Sequence, residues 1–236
     1  MNSMLSEIKV LTFDVGGSVF DWQSSTQAAV KEVAHERSVE LDVPAFCFQW
    51  RRRMFETLAE VRNGNLSWRN ADQIHLDVLD ELGEQHPELG LTPDDKQRLN
   101  TAWHRMDVWE EVPEALLRLR ERYVVSILTV LSLSIVVDSS RHAGIDWDAY
   151  LSCEFLGVYK PEAEAYQSAA KLFGVEPAET MMVACHPPDL AAAQRAGLKA
   201  AHVKPKVWEM GSEGDSTGFE IQADSYTDLA DQLCGR

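Results

Sequence analysis

Apolar residues along the chain form short runs that alternate with amphipathic stretches. The runs predict strands, one ending at Phe13 and others over 124–130, 181–185 and 200–203. Three- and four-residue spacing of apolar positions predicts helices from 112, over 134–142, from about 162, over 189–196 and over 225–233. Such alternation is typical of a parallel sheet covered by helices on both faces, which binds ligands at the carboxyl ends of its strands.

A different pattern occupies residues 44–106, where amphipathic helices are predicted over 46–61, 71–82 and 94–104 without a strand between them. Ser24, with Gln27 three residues later, fits a capping box that would open the preceding helix, ending near Ser38. We therefore predict an α/β core from 1–20 and 107–236, and an inserted helical subdomain over 21–106. A polar, glycine-containing stretch over 204–218 is predicted to be a surface loop.

Composition restricts the partners. The net charge is −16 over 236 residues, so the average field repels nucleic acid and anionic membranes. No apolar stretch approaches the length of a membrane span and no secretion signal opens the chain, so we expect a cytoplasmic protein. The four cysteines lie far apart without CxxC spacing, which favours reduced thiols over disulfides or a zinc site.

Groups able to do chemistry follow the predicted strands. Asp14 follows the first strand and precedes Gly16, Gly17 and Ser18. Glycines let the backbone turn tightly, while a hydroxyl and free N–H groups can face the carboxylate, so Asp14 is a candidate nucleophile. An aspartate that merely caps a glycine-rich turn is the structural alternative. Further candidates lie near or between later strands: Thr129, Lys160, His186 and Asp189.

The order Asp, hydroxyl, Lys-Pro, Asp resembles the haloacid dehalogenase superfamily and, within it, the 2-haloacid dehalogenases. The likeness spans nearly the whole chain and includes four further motifs: Trp50-Arg51, Arg141 to Gly144, Lys160 to Tyr166 and Met181 to Leu190. It implies a Rossmann-like core with a helical cap, a small carboxylate substrate, and neither metal nor cofactor. Related enzymes are often dimers, so the resemblance allows a homodimer, and the oligomeric state stays open.

The resemblance also implies roles for the polar groups. Asp14 attacks the substrate carbon and forms an ester, Ser18 hydrogen-bonds Asp14, and Lys160 keeps Asp14 ionised. Asp189 positions Lys160 or a water, and His186 assists that water in ester hydrolysis. The structural alternatives are a helix-start lysine, an N-cap aspartate and a histidine that caps its turn.

Substrate contacts are expected from a second group of residues. The resemblance implies that Arg51 meets the departing halide and that the Thr129 hydroxyl binds the substrate carboxylate. Tyr166 is expected near the site or in the core, and Trp50 is expected to line an apolar pocket or to pack within its helix layer.

Two positions depart from related patterns. Phosphatases of the superfamily carry a second aspartate, which acts as a general acid, where this chain has Gly16. A phosphatase with glycine at this position would lack that acid. The 2-haloacid dehalogenases usually continue the Thr129 motif with Asn-Gly, whereas this chain has Val130 and Leu131. Either Ser132 replaces the lost donor, or the leaving group is not an ordinary halide, or activity is weak.

These residues predict a hydrolase that converts a short 2-haloalkanoic acid to the 2-hydroxy acid through an aspartyl ester, with inversion. Three alternatives remain: attack on another carbon–heteroatom electrophile such as a strained carbon–nitrogen ring acid, a phosphatase, and a non-catalytic protein that binds a small carboxylate.

Overall fold

The chain is described from a computed structural model, which covers residues 5–235. Its main sheet has six strands, and all the strand pairs are parallel. In spatial order they are β5 (Ala149–Ser152), β4 (Val124–Thr129), β1 (Val10–Phe13), β6 (Thr180–Ala184), β7 (Lys199–Val203) and β8 (Ile221–Ala223). This parallel sheet confirms the predicted α/β fold class.

Apolar side chains cover both faces of this sheet, as expected for parallel strands. Phe13 contacts Trp147 and Tyr226 on one face. Successive residues of a strand point to opposite faces. Met182, which pairs with Thr12, therefore points to the other face, where it belongs to a buried cluster with Tyr166 and Leu190. The helices in the same compact unit as this sheet are α5 (Val112–Arg120), α7 (Cys153–Leu156), α8 (Ala163–Leu172), α9 (Pro187–Arg195) and α10 (Tyr226–Cys234).

Strand register brings the predicted polar groups to one edge. Phe13 on β1 pairs with Ile127 on β4 and with Val183 on β6. Because all three strands run in the same direction, the residues that follow them lie at the same edge. Asp14 therefore lies between the ends of β4 and β6, which carry Thr129 and the segment leading to His186.

By internal contacts the chain forms two compact units, of which the first contains 1–20, 108–133 and 144–236 and the second contains 21–107 and 134–143. The second unit is helical: α1 (Trp22–Glu36), α2 (Val43–Arg62), α3 (Ala71–Gln85), α4 (Pro93–Thr101) and α6 (Leu133–Ala143). Two short strands, β2 (Phe20–Asp21) and β3 (Asp107–Val108), pair where the chain passes between the units. The division into a catalytic core and a cap stays a prediction.

Tryptophans form the centre of the second unit. The Trp22 and Trp103 rings stack with centroids 5.6 Å apart, and Trp50 meets Trp103 edge-on at 5.7 Å. All three side chains are buried. No helix within residues 5–235 is long and apolar enough to cross a membrane.

The predicted start of the first helix is wrong. Asp21, not Ser24, is the N-cap, and its side chain accepts a hydrogen bond from the Ser24 backbone N–H at 3.0 Å. Aspartate and serine side chains both accept from the free N–H groups of a first turn, and the aspartate that precedes Ser24 by three residues takes this role. The helix consequently begins at Trp22, whose ring is buried in the second unit.

Candidate active site

Asp14 is the centre of a cluster of buried polar groups in the first unit. Its backbone N–H donates to the Val183 carbonyl at 2.9 Å, which fixes the residue just beyond β1. The Ser18 hydroxyl donates to Oδ2 at 2.9 Å, and His186 Nδ1 lies 3.0 Å from the same oxygen. Lys160 Nζ donates to Oδ1 at 3.0 Å. Both carboxylate oxygens are therefore held in place by neighbouring side chains.

Lys160 joins two carboxylates. Its Nζ lies 3.0 Å from Asp14 Oδ1 and 2.7 Å from Asp189 Oδ2. The Lys160–Pro161 peptide is cis and precedes α8, while Asp189 lies in the first turn of α9. Tyr166, one turn into α8, donates its hydroxyl to Asp189 Oδ1. The structure thus brings together Asp14, Lys160, Asp189 and Tyr166, and it places Tyr166 against Asp189.

Opposite charges keep Asp14 ionised despite its burial. Burial alone raises the pKa of Asp14, but the Lys160 ammonium and the His186 hydrogen bond outweigh it and hold the pKa well below its usual range. Burial lowers the pKa of Lys160, yet the Asp14 and Asp189 carboxylates raise it above its ordinary value. At neutral pH the site therefore contains a carboxylate pair with an ammonium between them.

Ser18 links the turn after β1 to the end of the neighbouring strand β6. Its hydroxyl donates to Asp14 and accepts from the Cys185 backbone N–H at 3.0 Å. Its carbonyl accepts from Trp109 Nε1 and from the Tyr226 hydroxyl, each at 3.0 Å. Sequence reasoning missed Trp109 and Tyr226, because residues so far along the chain carry no local signal that they converge on the Asp14 turn.

Glu209 is a further residue that sequence reasoning missed. It lies in the stretch 204–218, predicted to be a surface loop, yet only 1% of the residue is exposed. Its Oε1 lies 3.8 Å from His186 Nε2, on the ring edge opposite Asp14. The surface-loop prediction is therefore wrong at this residue, since a charged side chain in a polar segment gives no sign of burial.

Gly17 makes room for Glu209. Its φ is +87°, and an added Cβ would lie 2.5 Å from Cδ of Glu209 and 2.7 Å from its Oε2. Both the backbone conformation and the close approach require glycine. The space beside Gly17 is therefore filled by a side chain of the protein itself.

Replacing Gly17 with alanine is expected to lower the free energy of unfolding by about 1–3 kcal/mol, because it adds left-handed strain and displaces Glu209. Gly218→Ala is the matched control, since that glycine has no atom within 4 Å of an added Cβ and no left-handed φ. Urea unfolding followed by tryptophan fluorescence measures both variants. Equal stability of the two variants would contradict the assigned packing.

Thr129 and Ser132 lie at the end of β4 and in the turn that follows. Both are buried, and the Thr129 hydroxyl oxygen accepts from the Leu131 backbone N–H at 3.2 Å. The Ser152 hydroxyl donates to the Leu131 carbonyl at 2.6 Å, so this turn is held from β5. The Thr129 hydroxyl proton can still be donated to a ligand. Substrate binding by these two residues stays a prediction.

Trp50 and Arg51 lie on α2 in the second unit. Trp50 is fully buried and donates Nε1 to the His75 carbonyl at 3.1 Å, so its ring is part of that unit's core. The Arg51 guanidinium carbon lies 4.7 Å from the Phe55 ring centre and 5.2 Å from that of Trp22. Arg51 is buried among aromatic rings, and its predicted contact with a halide stays a prediction.

Within residues 5–235, no group of three or more His, Cys, Asp or Glu side chains is arranged to hold a metal ion. The space between Asp14 and Asp189 contains the Lys160 ammonium. Gly16 is buried at the position where a second aspartate would stand in a phosphatase of the resembled superfamily.

The site consists of a buried aspartate at the carboxyl edge of a parallel sheet. The aspartate is ion-paired to a lysine, and a helical segment follows it in the chain. The chain belongs to the haloacid dehalogenase-like hydrolases, because the model of that family matches residues 8–197. This confirms the superfamily predicted from the motifs.

Similar proteins support the resemblance to the 2-haloacid dehalogenases within this superfamily. The chain is 25% identical over 208 residues to (S)-2-haloacid dehalogenase 4A of Burkholderia cepacia, covering 85% of this chain and 84% of the relative. A crystal structure of an L-2-haloacid dehalogenase superposes with a TM-score of 0.88 at 28% identity, over 97% of this chain and 100% of the other. A defluorinating L-2-haloacid dehalogenase gives 0.88 at 27% identity, over 96% and 95%. The chain is homologous to the L-2-haloacid dehalogenases.

Proposed function

We propose that the protein hydrolyses short 2-haloalkanoic acids to 2-hydroxy acids through an ester on Asp14, without a metal. The observation that carries this proposal is the buried Asp14 carboxylate, ionised and oriented by Lys160, Ser18 and His186. Two of the similar proteins are named L-2-haloacid dehalogenases and one an (S)-2-haloacid dehalogenase, which supports the same substrate class.

In the first step an Asp14 oxygen donates a lone pair to C2 of the substrate. The carbon–halogen bond breaks, and its electron pair leaves with the halide. Attack from the side opposite the halide inverts C2. Lys160 and Ser18 restrict rotation of the carboxylate, so the attacking oxygen is oriented before substrate arrives.

In the second step water adds to the aspartyl carbonyl carbon, and His186 Nδ1 takes one of its protons. The tetrahedral adduct expels the 2-alkoxide, which takes that proton from His186 and becomes the hydroxy acid. The proton remaining on the Asp14 carboxyl group passes to solvent. Lys160, positioned by Asp189, holds the regenerated Asp14 carboxylate ionised for the next cycle.

Binding of the substrate is assigned to the predicted contacts. The Thr129 hydroxyl and the Ser132 side chain at the β4 end meet the substrate carboxylate, and Arg51 meets the departing halide. Trp50 acts through packing in the core of the second unit, and Tyr166 acts by orienting Asp189. A guanidinium surrounded by aromatic rings suits a diffuse anion better than a compact ammonium does.

Metal independence is part of the proposal. The charge balance supports it, because the Lys160 ammonium lies between the Asp14 and Asp189 carboxylates and offsets their charge. The buried glycine at position 16 also leaves a phosphate ester without the general acid that its leaving group needs.

Halide release from each enantiomer of 2-chloropropionate, with EDTA present, tests the proposal. We expect release from one enantiomer that is insensitive to EDTA, with inverted configuration in the lactate produced. Retained configuration at C2 would contradict the mechanism, and dependence on added magnesium with turnover of a chromogenic phosphate ester would indicate a phosphatase.

Because the sequence after Thr129 differs from the usual family pattern, the same assay should include other electrophiles. Leu131 is buried where related dehalogenases usually carry a small glycine next to an asparagine donor. If all 2-halo acids are inert, turnover of a strained carbon–nitrogen ring acid would identify the alternative hydrolase. Thermal stabilisation by simple carboxylates with no turnover of any substrate would indicate a binding protein.

A further inference from the structure

We infer that Glu209 is a positioning residue for the hydrolysis of the Asp14 ester, acting through His186. Its carboxylate keeps the Nε2 proton on the imidazole, so that Nδ1 is the nitrogen presented to the ester. This inference deepens the proposed function and rests on it, since it concerns only the second chemical step.

The geometry places His186 between two carboxylates. Nδ1 lies 3.0 Å from Asp14 Oδ2, and Nε2 lies 3.8 Å from Glu209 Oε1. Both distances are those of ion pairs, and they involve opposite nitrogens of one ring. A carboxylate close to one ring nitrogen favours the tautomer that carries the proton on that nitrogen. Glu209 therefore favours the tautomer whose lone pair faces Asp14.

The packing around Glu209 is specific. The side chain is buried and lies directly against Gly17, where any Cβ would overlap it. The same turn carries Asp14 and Ser18, so the nucleophile, its hydroxyl partner and Glu209 are in one packed unit. A carboxylate buried this deeply is costly unless an opposite charge lies close, and the His186 imidazolium supplies that charge.

Several charged and titratable groups face the imidazole and together set its pKa. Burial lowers the pKa of His186, but hydrogen bonding and ion pairing with its neighbours raise it well above the ordinary value. In the free enzyme His186 is therefore an imidazolium. The groups around it are Asp14 after β1, Cys185 just before it in the chain, His202 on β7 and Glu209.

Ester formation changes this balance. Once Asp14 is esterified it no longer bears a negative charge, so the Nδ1 proton of His186 loses its ionic partner and passes to solvent. The Nε2 proton stays beside Glu209. Nδ1 then has a free lone pair next to the ester carbonyl, as a general base for water requires. Without Glu209 the neutral ring loses the carboxylate that favours the productive tautomer.

The test uses Glu209→Gln in the full-length protein, with 2-chloropropionate as substrate. We expect a rapid release of about one halide per active site, followed by steady-state turnover about 10²-fold below wild type, since a misplaced general base slows hydrolysis only. Intact-mass measurement should show the variant carrying the propionate ester. Glu213→Gln is the control, because that exposed glutamate lies on the same loop.

The pH profile separates positioning from a structural role. A carboxylate raises the pKa of a neighbouring histidine, so removing it should move the acid limb of ester hydrolysis about one unit or more to lower pH. Glu209→Asp should recover part of the rate. In a His186→Gln background the Glu209→Gln change should add less than about two-fold, because the pair acts as a unit.

Each outcome is decisive. Wild-type turnover in Glu209→Gln, or a lowered rate with an unmoved acid limb and no accumulated ester, would overturn the inference. Absence of any halide release by the wild type would instead overturn the proposed function. A full burst in the variant demonstrates that Asp14 and its surroundings remain folded.

Discussion

Replacing Lys160 with methionine is expected to lower turnover by about 10³-fold or more, because the variant loses the charge that keeps the nucleophile ionised. Asp14 and Asp189 would then face each other in a buried space with no cation between them. Two close carboxylates share a proton, so the pKa of one rises strongly. Protonation of Asp14 removes the lone pair that attacks C2.

The same change is expected to lower the free energy of unfolding by about 3–5 kcal/mol at neutral pH, as for other buried ion pairs that lose one partner. The wild-type Asp14 pKa lies below its unfolded value, so its stabilising contribution is present above pH 4 and is lost as the pH falls. The stability gap between wild type and Lys160→Met should therefore narrow in acid. Urea unfolding at a series of pH values measures this gap.

Lys171→Met is the matched control, since that lysine is exposed on α8, the helix that follows Lys160. Lys160→Arg retains the charge in a bulkier group and should fall between wild type and methionine in rate. Turnover of Lys160→Met within about tenfold of wild type would contradict the role assigned to the ammonium.

Asp14→Asn is expected to lower turnover by about 10⁴-fold or more, because an amide nitrogen or oxygen is a far weaker nucleophile than a carboxylate. The substitution preserves shape and leaves Lys160 paired with Asp189. It also removes the negative charge that faces Nδ1 of His186, so the pKa of that histidine should fall. Halide release and the NMR titration of His186 measure the two effects.

Asp146→Asn is the control for this substitution, because that aspartate is exposed and its removal leaves the site intact. If Asp14→Asn retained measurable halide release with an ester absent from its mass spectrum, direct attack by water would replace the covalent mechanism. An unchanged His186 pKa would show that the two residues are uncoupled.

The central strands were predictable because each is buried on both faces and reads as a continuous apolar run. β1 and β6, at the middle of the sheet, contain Val10–Phe13 and Thr180–Ala184. The edge strands β5 and β8 were missed. β5 carries a half-exposed tyrosine and a serine, and β8 is three residues long with an exposed glutamine. Edge strands have fewer neighbours to exclude water, so their sequences carry a weaker signal.

The site was predictable where local order determines position. Asp14 directly follows β1 and His186 lies two residues after β6, and the parallel sheet brings such residues to one edge. Glu209, Trp109 and Tyr226 were not predictable, because each reaches the Asp14 turn through tertiary packing from a distant segment. No spacing rule applies to residues that meet only after the sheet and its helices have formed.

A single-turnover reaction in ¹⁸O-labelled water, with enzyme in excess over 2-chloropropionate, tests the aspartyl-ester mechanism most directly. Water attacks the aspartyl carbonyl carbon in this account, so the label should enter the Asp14 carboxylate and the lactate should contain an unlabelled C2 oxygen. Peptide mass spectrometry would locate the label at Asp14. Lactate labelled at C2 in the first turnover, with an unlabelled Asp14, would contradict the account.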